Sequence, residues 1–179
     1  MAVHLYLVVL GGRMKGCNIE LHDVRWVVGD SIQDTIKTLK SEWFGDKKGL
    51  HIDSYRQILH VDGMSVAVVH SPTVNEPTDE YGLWFVNLGG YSSQSMAEQH
   101  EFGIVVAQTA QSAKAIAKKR WLKGMTQIHK DDLHQINGNP LIDDLLPING
   151  NGRWHIQLTP STTEVSASKT PDWTGYWLI

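Results

Sequence analysis

The chain has 179 residues with 16 basic and 19 acidic side chains, which gives a net charge of −3, and 41% of its residues are hydrophobic. This composition is typical of a folded globular protein and excludes a disordered chain. It offers no basic excess to neutralise phosphates, so we expect no nucleic-acid partner. The single cysteine, Cys17, excludes an intrachain disulfide and a cysteine-rich zinc site, which favours a cytoplasmic location.

No membrane segment is expected. The longest apolar run, residues 5–10, is far shorter than the roughly 20 residues that span a bilayer. It also lacks the basic region that opens a secretory signal.

The sequence contains an internal repeat. At an offset of 78 positions, 16 of the 54 residues from Leu5 to Ile58 are identical to their counterparts. Self-similarity of this length predicts two copies of one structural unit. We predict a first repeat at 1–69, a linker at 70–82, a second repeat at 83–160 and a C-terminal tail with an aromatic end at 161–179.

Within each repeat the hydrophobic pattern predicts a succession of strands and one helix in chain order. Apolar runs at 5–10 and 83–88 predict a central strand buried on both faces, and the alternating patterns at 20–28 and 98–106 predict a half-buried second strand. Helical spacing follows at 31–44, where Ser31 and Asp34 suggest a capping box, and at 109–122. Residues 50–69 predict a third and a fourth strand turned at Asp62-Gly63. In the second repeat a loop at 137–147 precedes a hairpin at 149–152.

These elements predict an α+β fold of two tandem β-β-α-β-β repeats. A right-handed crossover gives each repeat an antiparallel sheet of order 2-1-3-4, covered on one face by one helix. A single unit of this size has a thin core. We therefore expect the two repeats to pack on each other about a pseudo-twofold axis.

Three polar or glycine features occur in both repeats: a Gly-Gly pair, a Glu-x-His motif and a His-x-Asp motif. In the predicted sheet all three meet at one end, where a tryptophan also returns from the helix. The candidate ligand-binding residues are therefore Gly11, Gly12, Glu20, His22, Trp43, His51 and Asp53 in the first repeat, and Gly89, Gly90, Glu98, His100, Trp121, His129 and Asp131 in the second.

The chemistry of these motifs leaves several hypotheses open. Two imidazoles and two carboxylates are enough to hold a divalent metal, with Glu20, His22, His51 and Asp53 as the candidate ligands. A histidine beside a carboxylate is also suited to general-base catalysis. Alternatively, the same residues form structural hydrogen bonds at the rim of the core, and the tryptophans belong to the core itself.

Three functions fit this pattern. The first is a binding module that holds a protein partner or a small ligand in the cleft between the repeats or on the tail. The second is a metal-dependent, hydrolase-like enzyme that uses the Glu-x-His and His-x-Asp residues. The third is a structural assembly unit, in which the tail exchanges between the chains of a homodimer.

The segments 5–12, 18–29 and 50–55 resemble a bacterial domain-of-unknown-function family, number fifteen forty-three. Members of that family carry one or two copies of the domain, which agrees with the internal repeat. The resemblance is weaker in the second repeat, where 98–101 reads Glu-Gln-His-Glu in place of Glu-Leu-His-Asp. It implies no activity, catalytic residue or ligand.

Overall fold

A computed structural model describes residues 3–70, 81–135, 154–161 and 170–179. Within these residues the structure is mostly β with two helices, and the strand pairs are all antiparallel. The first part of the chain forms β1 (His4–Gly12), β2 (Leu21–Gly29), α1 (Ile32–Glu42), β3 (His51–Gln57), β4 (His60–Val61) and β5 (Met64–His70). The second part forms β6 (Gly82–Tyr91), β7 (Gln99–Ala107), α2 (Ala110–Arg120), β8 (Thr126–Gln135), β9 (Trp154–Pro160) and β10 (Trp173–Leu178).

The strands form three sheets, and one predicted feature of their order is wrong. The first three strands of each repeat have the predicted order, as β2-β1-β3 and β7-β6-β8. The fourth strand does not lie beside the third. Instead β5 pairs with β9, the fourth strand of the other repeat, and β10 takes the place beside β3.

The position of the fourth strands follows from the uncovered faces of the two sheets. Each helix covers one face, with Leu39 of α1 and Ala117 of α2 fully buried beneath it. The opposite faces share a core to which the fourth strands contribute Val66 and Ile156. Because a fourth strand at the sheet edge would leave these faces in water, the separate β5–β9 pair buries more apolar surface.

The helix boundaries lie close to the predicted ones, but the first cap differs. Ser31 precedes α1 and its hydroxyl donates to the Asp34 carboxylate at 2.6 Å, so it does not cap a backbone N–H and the predicted capping box is absent. Thr109, by contrast, caps α2 in a reciprocal box with Ser112. Each helix ends one residue before a tryptophan, so that Trp43 and Trp121 are the C-cap residues.

The turn at Asp62-Gly63 is confirmed, with φ of 51° and 77° at the two residues. The chain leaves the first sheet after Gln57, and the turn then joins the two-residue β4 to β5. The end of the tail docks on the body as β10, with Trp173 and Trp177 against Tyr55. Most of the predicted linker, at 71–80, and the predicted loop and hairpin of the second repeat lie outside the described residues.

Candidate functional site

The register of the sheets brings the shared motifs together around one glycine in each repeat. Gly11 of β1 lies opposite His22 on one side and His51 on the other. In the second repeat Gly89 is opposite His100 and His129 in the same way. The predicted convergence is therefore confirmed, and His51 is the first residue of β3 and not part of the preceding loop.

In the first repeat two histidines alternate with two carboxylates; we call this group the first cluster (Glu20, His22, His51 and Asp53). His51 Nε2 lies 3.4 Å from Glu20 Oε1 and 3.1 Å from Asp53 Oδ1. His22 Nε2 lies 3.3 Å from the other oxygen of Asp53 and 3.8 Å from the other oxygen of Glu20. Each carboxylate thus faces both imidazoles.

The equivalent residues of the second repeat form the second cluster (Glu98, His100, His129 and Asp131). His129 lies 2.6 Å from Glu98 Oε1 and 2.7 Å from Asp131 Oδ1, while His100 lies 3.0 Å from Asp131 Oδ2 and 3.6 Å from Glu98 Oε2. One ligand atom each from Glu98, His129 and Asp131 lie within 4.8 Å of one another. This separation is short enough for a single cation to touch all three.

Two oxygens of the second cluster are buried without a hydrogen bond. Glu98 Oε1 and Asp131 Oδ2 are close to imidazole nitrogens, but no N–H of the described residues points at them with hydrogen-bonding geometry. A buried carboxylate oxygen without a donor is unfavourable unless a positive charge compensates it. The second cluster therefore has acceptor capacity that its own side chains do not use.

A β-bulge lies at the same position of both clusters, and the sequence did not reveal it. Val9 and Leu10 pair with Ser54 and Ile52, so Asp53 is the extra residue of β3. Asp131 is the extra residue of β8 in the same way, because the neighbouring residues Asn87 and Leu88 of β6 pair with Asp132 and Lys130. Bulges redirect side chains and are common beside functional sites. Here each bulge carries the aspartate of the cluster.

The two glycines of each Gly-Gly pair have different roles. A Cβ on Gly11 would collide with the His51 ring, and one on Gly89 would lie 2.6 Å from Asp131 Oδ2. A methyl group at either position would displace cluster side chains, because these side chains cross above the strand. The side chains of the clusters fill the space above these two glycines.

Four of the sequence candidates lie on the helix-covered face and take no part in the clusters. A Cβ on Gly12 would meet Trp43 at 2.7 Å, and one on Gly90 would meet Leu122 at 3.1 Å. Trp43 and Trp121 are 4% and 2% exposed in the helix-side cores. Successive residues of a strand point to opposite faces, so the second glycine and the tryptophan belong to the core.

The pattern of the family described as Domain of Unknown Function (DUF1543) matches residues 17–68 and 95–146. The two matches cover more than half of the chain, and their starting points differ by the same 78 positions as the internal repeat. The chain belongs to the DUF1543 family. Both matches contain a complete cluster.

A solved structure resembles this DUF1543 protein over nearly its whole length. It is described as the crystal structure of a protein Il1583 from Idiomarina loihiensis, with 30% sequence identity and a TM-score of 0.69. The similarity covers 98% of this chain and 96% of that one. No curated protein matches the chain. Among the described residues, no helix has the length and apolar character to cross a membrane.

The tautomer of one histidine in the DUF1543 protein is fixed by the backbone. His51 Nδ1 lies 2.8 Å from the Gly49 carbonyl oxygen, which can only accept a hydrogen bond. Nδ1 therefore carries the proton, and the Nε2 atom facing Glu20 and Asp53 has a lone pair in the neutral ring. A backbone carbonyl on the far nitrogen is the usual way in which metal-binding histidines are oriented.

The negative charge of the second cluster acts on a tyrosine at its edge. Tyr91 lies at the end of β6, and its ring centroid is 5.8 Å from that of His129. The negative charge of Glu98 raises the pKa of the Tyr91 hydroxyl above its usual value, and burial, a hydrogen bond with the Glu98 side chain and the charge of Asp131 act in the same direction. The same negative potential favours a cation in the cluster.

The clusters differ in the access of solvent to one histidine, whereas His22 and His100 are 55% and 46% exposed. The side chain of His51 is 1% exposed, whereas that of His129 is 44% exposed. His100 also lines a groove of about 650 Å³ between the repeats, with Arg56 and Arg120 on its walls. Sequence reasoning missed Gly49, Tyr91 and the tail residue Tyr176, which stacks on His51 with 4.0 Å between ring centroids. Of these three residues only Tyr176 had a signal in the sequence, namely the aromatic end of the tail.

Proposed function

We propose that this protein binds divalent transition-metal cations at its two acid–imidazole clusters. The observation that carries the proposal is the convergence of Glu98, His129 and Asp131 within 4.8 Å, with two buried carboxylate oxygens that accept no hydrogen bond from the described residues. A cation in the cluster would satisfy these oxygens and screen the two carboxylates from each other.

The distances within the first cluster support this proposal, whereas in the second cluster His129 faces the two carboxylates with different ring nitrogens at 2.6 and 2.7 Å. Zinc–nitrogen and zinc–oxygen bonds are about 2.0–2.2 Å long, so neighbouring ligands of a tetrahedral site are roughly 3.3–3.5 Å apart. The nitrogen–oxygen distances of the first cluster, from 3.1 to 3.8 Å, bracket this value. Mixed imidazole and carboxylate ligands suit zinc, manganese and iron, and the lack of thiolates disfavours softer ions.

Cation binding is common to two of the functions expected from the sequence. It fits a binding module, and it fits a metal-dependent hydrolase whose substrate reaches the second cluster through the groove at His100. Hydrolysis, a protein partner and a homodimer stay predictions. The proposal also includes a pseudo-twofold relation between the repeats, supported by the antiparallel pairing of β5 with β9. A cytoplasmic location, expected from the single cysteine, belongs to it as well.

Isothermal titration of the metal-free protein with Zn²⁺ tests the proposal. We expect two equivalents to bind, and the variants His22→Ala and Glu98→Gln to lose one equivalent each. His22 is 55% exposed and Gln has the shape of Glu, so both variants should fold. His155→Ala, outside the clusters, is the matched control and should bind as the native chain does.

The structural alternative gives a different result. If the clusters are only networks of hydrogen bonds and ion pairs, the same variants will lower the unfolding temperature, while Zn²⁺ uptake is absent or unchanged. Either absent or unchanged uptake would refute the proposal.

A further inference from the structure

The C-terminal strand distinguishes the two repeats. β10 pairs with β3 in the first repeat, where Leu178 lies opposite His51 and Trp177 opposite Ile52. β8 is the equivalent of β3, and within the described ranges its only neighbour is β6. The strand that carries His51 and Asp53 therefore has a covering strand, and its counterpart with His129 and Asp131 has none among the residues that the structure describes.

A bulge in β10 directs an aromatic ring at the first cluster. Thr174 and Trp177 pair with Ser54 and Ile52, so Gly175 and Tyr176 together lie opposite Asp53. Gly175 has a φ of 155°, which side chains rarely adopt, and a Cβ there would meet the Trp173 ring at 2.9 Å. Such a bulge re-aims the residue beside it. The result is that Tyr176 stacks on the His51 imidazole, with 30° between the ring planes.

The second cluster has a looser aromatic neighbour. Tyr91 comes from the same sheet as His129, and its ring is tilted by 35° at a centroid distance of 5.8 Å. His129 keeps 44% of its side-chain surface exposed, whereas His51 keeps 1%. Tyr176 is itself 66% exposed, so its ring lies between the His51 imidazole and solvent.

We propose that the C-terminal strand covers the His51 imidazole of the first cluster with the Tyr176 ring, so that the two repeats hold the same four groups with this histidine shielded in the first repeat and open in the second. The inference deepens the proposed function and rests on it. Both clusters offer the same four groups, so the cover changes how readily a cation or a small molecule reaches this histidine and not the number of ligands. His129 is then the one of the two equivalent histidines that a cation or a small-molecule ligand reaches directly from solvent.

The cover over His51 can be tested without any metal. Diethyl pyrocarbonate modifies accessible imidazole nitrogens, and peptide mass spectrometry gives the rate at each histidine. In the metal-free native chain we expect His129 to react at least tenfold faster than His51. Tyr176→Ala should raise the His51 rate at least tenfold and leave the His129 rate unchanged.

Two further variants separate the ring from other effects. Tyr176→Phe keeps the ring and should keep His51 protected, while Tyr91→Ala, the matched change in the second repeat, should leave His51 unaffected. Equal rates at His51 and His129 in the native chain would overturn the inference. An unchanged His51 rate in Tyr176→Ala would overturn it as well.

Cation kinetics provide the second measurement. Rapid mixing of metal-free protein with Co²⁺, followed by absorbance, should show a fast phase that Glu98→Gln removes and a slow phase that His22→Ala removes. Tyr176→Ala should accelerate only the slow phase. Two phases that do not respond to Tyr176→Ala would overturn the inference that Tyr176 covers His51 and leave cation binding intact, whereas protection of His51 without any Co²⁺ uptake would refute the proposed function instead.

Discussion

Replacing Gly11 by alanine should cost far more stability than the equivalent change at Gly89. The new methyl group would overlap the His51 ring, whose Cε1 is 2.8 Å from the ideal Cβ position, and would lie 3.1 Å from Asp53 Oδ2. The ring cannot move away easily, because Nδ1 is hydrogen-bonded to Gly49 and Tyr176 stacks on its face.

The magnitude follows from the packing. Overpacking a buried site costs about 1–3 kcal/mol, and loss of the Gly49 hydrogen bond adds about 1 kcal/mol. We therefore expect Gly11→Ala to lower the free energy of unfolding by about 2–4 kcal/mol. For a chain of this length that corresponds to a fall of roughly 4–16 °C in the unfolding temperature. At Gly89 the displaced groups are 23–44% exposed and can rotate into solvent, so we expect less than about 1 kcal/mol there.

Thermal unfolding followed by circular dichroism, with a chelator present, compares the two variants directly. Gly89→Ala should retain its fold and lose the convergence of Glu98, His129 and Asp131, so its Zn²⁺ affinity should fall. If Gly89→Ala loses as much stability as Gly11→Ala, or more, the assignment of a rigid first cluster and a yielding second cluster is wrong.

Two further predictions concern groups outside the clusters. Burial raises the pKa of Glu42 to about 7, although the Arg25 charge acts in the opposite direction. The folded state then holds more protons than the unfolded state between about pH 4.5 and 7. The free energy of unfolding should therefore fall by roughly 1 kcal/mol as the pH rises through this window, a value reduced for the partial exposure of the group. Glu42→Gln should remove this pH dependence in urea unfolding measured at several pH values. Asp62 accepts the Val106 N–H at 2.9 Å and pairs with Arg120 at 2.7 Å. Asp62→Ala should cost about 1–2 kcal/mol in thermal unfolding and Asp62→Asn less, because asparagine also tolerates the positive φ; equal losses in the two variants would contradict this.

The sequence predicted those features that depend on local pattern. The 78-residue repeat, the antiparallel order of the first three strands and the turn at Asp62-Gly63 follow from self-similarity, periodicity and turn chemistry, and the structure has all three. Because antiparallel pairing places the end of one strand beside the start of the next, the same reasoning brought the Glu-x-His and His-x-Asp motifs together. It did not separate Gly12 and Trp43, which lie on the helix-covered face, from the residues of the first cluster, since a shared end of a sheet does not specify a shared face.

Tertiary structure alone decided the rest. The pairing of β5 with β9 depends on how two open sheet faces share one core, and no local pattern encodes that choice. The bulges at Asp53 and Asp131 appear only when the register of three strands is known. The strand that covers His51 comes from more than a hundred residues away along the chain, so its contact with the first cluster is a property of the folded chain and of no segment within it.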